Sequence, residues 1–106
     1  MTDKVVRDGK VAVLYSPGYG AGWSTWNGRL GEAAVFCPDL VAAALGETGE
    51  TQLAVIERVW ANEEYVCTLG VPLSVEWVPQ GTRFEISEYD GSEEVRIFDE
   101  VPGYVA

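Results

Sequence analysis

The chain has 106 residues, no histidine, two cysteines, and 17 acids against 7 bases, for a formal charge of −10. The missing histidine excludes Ser-His-Asp and Cys-His nucleophile systems, histidine general bases and every His-containing zinc site, and two isolated cysteines cannot form a four-cysteine zinc site. The acids crowd the part from Glu63 onward, where the only bases are Arg83 and Arg96; such a surface repels nucleic acid and anionic membrane, and it either favours a basic protein partner or serves solubility alone.

The length predicts one domain, 1–106. At 47% hydrophobic residues the chain carries enough apolar material for a core, and at this size roughly two-thirds of the unfolded surface can be buried. In chain order, Val5-Val6-Arg7, Asp8-Gly9 and Lys10 to Tyr15 predict a hairpin closed by a type I′ turn. Val11, Val13 and Tyr15 share one strand face and Ala12 and Leu14 the other, so this strand belongs inside a sheet. Ser16 to Gly22 reads as a loop, because Pro17 and the alternating Gly18, Gly20 and Gly22 hold neither helix nor strand. Trp23 to Arg29 has no clear period and allows one short turn or strand.

Pro38 to Leu45 predicts a helix with Pro38 and Asp39 in its first turn, Gly46 past its end, and Leu40, Val41, Ala44 and Leu45 as its apolar stripe. A second helix is predicted from about Glu50 to Ala61, with Leu53, Ile56, Val59 and Trp60 on one side and Thr48 or Thr51 as cap. Strands are predicted at Tyr65 to Leu69, through Leu73, Val75 and Trp77, and from Arg83 to Tyr89 with Phe84 and Ile86 inward. Asp90-Gly91 predicts a second hairpin, whose return strand Glu94 to Phe98 places Val95 and Ile97 on one face. Val101 and Tyr104 are expected to dock the tail. Trp60 and Trp77 are expected in the core, and Arg83 and Arg96 to pair with Glu85 and Glu94. The sum is an α+β fold: a mostly antiparallel β-sheet with two short helices packed on one side.

The start, Met1-Thr2-Asp3-Lys4, leads into a strand-like run, and no segment approaches the roughly 20 apolar residues of a membrane span. The expectation is a cytoplasmic protein with no membrane partner and with Cys37 and Cys67 as reduced, buried thiols.

Two segments stand out chemically. In the first, Ser16 to Trp23, glycine amides can approach a ligand, although the pattern is neither a P-loop nor a dinucleotide fingerprint. The alternative is a tight loop anchored by its aromatics. As a binding loop, Tyr19, Trp23 and Trp26 would stack on a base, the Gly18 to Gly22 amides, Gly20 and Gly22 among them, together with Arg29 would meet phosphate, and Asn27 would read a base edge. In the second, Glu88, Asp90, Glu93 and Glu94 cluster at a hairpin tip. They form a solvated turn, or present carboxylates to a basic partner. Their spacing does not match a calcium loop, so no metal and no cofactor are expected.

The stretch from Val13 to Asn27, containing SPGYGAGWSTWN, resembles a segment near the start of small uncharacterised bacteriophage and prophage proteins. Val75 to Thr82, then Phe84, Ile86 and Glu88-Tyr89-Asp90-Gly91, resembles a segment near their end. The resemblance implies a phage accessory protein in the host bacterial cytoplasm, acting by binding and not as an enzyme. Two mechanisms are open. The glycine–tryptophan loop sequesters a nucleotide-like small molecule from a host defence, with a second subunit closing the site; or the acidic hairpins mimic nucleic acid and occupy a basic host protein such as a CRISPR effector. A structural or assembly role in the virion is the third.

Overall fold

The computed structural model describes residues 3–97 and 103–106. Strands β1 (Val6–Arg7) and β2 (Lys10–Tyr15) form the expected hairpin. Asp8 and Gly9 both take positive φ, 52° and 75°, as a type I′ turn requires. Two short helices follow, α1 (Glu32–Phe36) and α2 (Pro38–Ala44). They are separate because the residue before a proline disfavours helical geometry: Cys37 is extended (ψ 115°), ending α1 and letting Pro38 open α2. Gly46 ends α2 at φ 71°, with Glu47 N–H donating to Ala42 C=O (2.8 Å) and Gly46 N–H to Ala43 C=O (3.2 Å). This is the glycine-capped ending in which two orphan carbonyls are satisfied. Helix α3 (Gln52–Val59) is capped by Thr51, whose hydroxyl accepts from the Ala54 N–H at 3.1 Å. Arg58 ties α3 to α2 by bridging Glu50 (2.7 Å) and Asp39 (3.0 Å).

Strands β3 (Ser74–Pro79), β4 (Arg83–Tyr89), β5 (Ser92–Ile97) and β6 (Tyr104–Val105) complete the chain. The class is α+β, as expected. The strands divide into two antiparallel three-stranded sheets, ordered β1-β2-β3 and β5-β4-β6, in place of one. The break comes at Pro79 to Thr82, where a turn with Gly81 at φ 85° sends β4 into a second layer.

Central strand β2 explains the layering. Val11 to Leu14 are fully buried, so both of its faces need cover. Ala12 and Leu14 lie in a cluster with Trp23, Leu40, Val41, Val55 and Ile56, under α2 and α3. Val11 and Val13 join Val35, Phe36, Val78, Phe84 and Ala106, between α1 and the second sheet. Tyr104 docks the tail by stacking on Phe84 at 5.5 Å and meeting Phe36 edge-on at 6.1 Å.

Some of these expectations are corrected and others are met. Helix α1 was not foreseen, because its apolar residues occupy little more than one turn. Leu53 and Val59 are exposed, since α3 buries only the stripe around Val55 and Ile56. Ile97 is exposed, while Val95 is half-buried. Trp60 and Trp77 pack against the first core cluster as expected, each half-buried: Trp60 is edge-on to Trp23 at 5.6 Å, and Trp77 lies beneath the Arg7 guanidinium. Glu85 lies opposite Arg96 in register, while Arg96 reaches Glu94 at 3.7 Å. Residues 65–69 form no strand. The expectation for Val101 lies outside the described residues. Cys37 and Cys67 are free and buried, and burial pushes the Cys37 thiol up. Among the described residues no helix is long and apolar enough to cross a membrane.

Candidate functional site

The glycine loop is held by one side chain that the sequence reading had assigned elsewhere. Glu93 lies on β5 in phase with Val95, so it points inward, and it is 3% exposed. Its Oε1 accepts from the Ser16 N–H at 2.8 Å. Its Oε2 accepts from the Trp23 N–H (2.8 Å), the Thr25 N–H (3.0 Å) and the Thr25 hydroxyl (2.6 Å). Converging backbone donors of this kind make an anion-binding nest. Here the chain's own carboxylate fills it. Glu93 therefore does not present its charge to a partner.

The backbones of loop and hairpin reinforce the clasp. Glu93 N–H donates to Ser16 C=O (2.7 Å), Gly20 N–H to Asp90 C=O (2.6 Å), and the Ser92 hydroxyl to Pro17 C=O (3.0 Å). Contact this close requires a missing side chain. Gly91, at φ 84°, lies against the Ala21 backbone, and a Cβ there would meet Ala21 Cα at 2.7 Å. Gly91→Ala is expected to destabilise the fold by about 2–3 kcal/mol through overpacking and left-handed strain, read as a lower urea midpoint at unchanged slope.

Trp23 and Asn27 are likewise built into the interior. Trp23 is fully buried, and its Nε1–H donates to the Ala34 C=O at 2.6 Å. Asn27 is 8% exposed. Its Nδ2 donates to the Trp23 and Cys67 carbonyls (2.9 and 3.0 Å), and its Oδ1 accepts from the Cys67 N–H (2.8 Å). One carboxamide thus serves both polar groups of Cys67. It replaces the neighbouring strand that residues 65–69 were expected to have. Gly22 is buried against Thr25, Trp26 and Glu93. In place of the ligand contacts expected of them, Trp23 and Asn27 spend their side-chain polar groups within the chain and Gly22 is closely packed, while Gly20, exposed, spends its N–H on Asp90.

The other candidates face outward. Tyr19 is 78% exposed and Trp26 45%. Trp26 and Arg29 line a hollow of about 300 Å3 together with Glu64 and Tyr65, two residues that the sequence reading missed. The Arg29 guanidinium donates to the Tyr65 C=O (3.3 Å) and lies 3.9 Å from the Glu63 carboxylate. Tyr19 lines a second hollow of about 250 Å3, with Pro17, Leu69 and Pro72. The segment from Tyr65 to Pro72 contributes to both, and Tyr65 and Leu69 are strongly exposed.

Of the acidic group, Glu88 accepts from the Gly91 N–H (2.7 Å) and stands 3.3 Å from the Trp26 Nε1–H, at the indole edge. Asp90 and Glu94 are exposed. Among the described residues no three His, Cys, Asp or Glu side chains converge as metal ligands would. Compared with known proteins, the chain matches no family model, no curated protein and no solved structure.

Proposed function

We propose that the protein acts by binding, and that the face around the glycine loop docks on a basic protein. The observation that carries this reading is the exposure of Tyr19, Trp26, Tyr65 and Leu69, which line two hollows built from the same two segments, Ser16 to Leu30 and Glu64 to Pro72. Exposed aromatics grouped in this way are the anchors that protein interfaces favour. The charge indicates the partner's sign: Glu63, Glu64, Glu88 and Asp90 stand on or beside this face, in a chain of net charge −10. The resemblance to phage proteins makes a host protein the natural target.

A second reading, capture of a nucleotide-like small molecule, is favoured by Trp26, Tyr65 and Arg29 lining one hollow. Two features weigh against it. Of the loop amides, Gly20 N–H is turned to the Asp90 carbonyl and the adjacent Trp23 N–H to Glu93, and the Arg29 guanidinium lies 3.9 Å from the Glu63 carboxylate.

The test is retention of bacterial proteins on tagged wild type and on a Trp26→Ala/Tyr65→Ala variant, at low and high salt, with mass spectrometry of heat-released small molecules. The expected result is a basic protein kept by wild type, reduced at least about tenfold by the double substitution and weakened by salt. A stoichiometric nucleotide in place of a protein would establish the second reading. Retention of neither would leave a virion or assembly role.

A further inference from the structure

We infer that the hollow between Trp26 and Tyr65 is the seat for an arginine side chain of the partner. This deepens the protein-docking reading and rests on it. Trp26 and Tyr65 both line the hollow and are both exposed, and an exposed aromatic face attracts a cation. The Glu88 carboxylate stands at the indole edge, 3.3 Å from Trp26 Nε1, and adds negative potential on that side. Glu64 lines the same hollow. The one cation there, Arg29, is already directed to the Tyr65 carbonyl and to Glu63. Glu64 in the lining and Glu63 and Glu88 beside it outnumber that one base, so the surroundings of the hollow carry net negative charge. A guanidinium suits the site better than an ammonium: it is planar and weakly hydrated, stacks on an indole, and still directs N–H donors in its plane toward a carboxylate.

The experiment follows the Trp26 indole N–H resonance, assigned with Trp26→Phe, while a capped glycine–arginine–glycine peptide is titrated in. The same peptide with citrulline, a neutral near-isostere, is the control, and AMP is titrated separately. The expected result is a saturable shift with the arginine peptide and none with citrulline. Glu64→Gln should weaken the arginine peptide roughly fivefold, the loss of one charge-assisted contact at an open site. Glu64 is exposed, so this variant keeps the dispersed amide spectrum of a folded chain. Equal shifts with citrulline, or no saturation, would overturn the proposal. A tighter response to AMP that disappears in Arg29→Gln would also overturn it, in favour of the small-molecule reading. The two levels separate cleanly: if the arginine peptide fails while capture of a basic protein still depends on Trp26 and Tyr65, the docking face stands and only the arginine seat falls.

Discussion

Glu93→Ala is expected to lower stability by about 3–5 kcal/mol, a large share of what a domain of this size has. The substitution leaves the N–H groups of Ser16, Trp23 and Thr25 without their acceptor. Hydrogen bonds to a charged group contribute about 1.5–3 kcal/mol each, and buried donors left unpaired cost more than the bond alone returns. The thermal midpoint should fall on the order of 15–20 °C. Glu93→Gln keeps the volume but should recover little, because its amide N–H groups would face donors. Formate should raise the midpoint of Glu93→Ala and leave wild type unchanged, since a small carboxylate can re-enter the vacated nest. A Glu93→Gln variant within about 1 kcal/mol of wild type would mean that the clasp does not depend on charge.

Trp23→Ala carries the second large effect. The side chain is fully buried, meets Trp60 edge-on, and donates its only N–H to Ala34. Truncation should cost about 3–5 kcal/mol, as for other buried aromatics, and the Ala34 carbonyl is orphaned as well. Trp26→Ala, three residues on, should change stability by less than about 1 kcal/mol and change partner binding instead. Urea denaturation of both variants tests the contrast. A stable Trp23→Ala that has lost its partner would return Trp23 to the binding surface.

Those two tryptophans show where sequence reading stopped. Both sit in one aperiodic stretch beside small polar residues. Nothing local distinguishes the one that Ala34 receives from the one left over the hollow, because the difference is made by α1, a helix too short to leave a periodic pattern. Local chemistry was legible. The Asp8-Gly9 and Asp90-Gly91 turns require positive φ, Pro38 and Gly46 bracket α2, and the two-sided apolar run of β2 demands cover on both faces. Features made by distant side chains were not. Asn27 stands in for a strand partner of Cys67, 40 residues away. Glu93 reads as one more acid in a charged turn. Its only signal is phase, since it falls on the same strand face as Val95, where a carboxylate needs donors brought to it from another element.

The division of labour is physical. The glycines let the loop, the hairpin turn and the segment around Gly70 approach closely, and the buried carboxylate fixes their arrangement. The aromatics left outside then stand on a braced support, so little ordering entropy opposes their binding.

The most direct test of the docking face is site-specific photo-crosslinking in a bacterial host. Benzoylphenylalanine is placed at Tyr65, on the face, or at Leu53, an exposed position on α3 that lines neither hollow. One crosslinked product with a basic protein is expected from position 65, and none from position 53. Equal crosslinking from both positions, or a product from position 53 alone, would contradict the docking face.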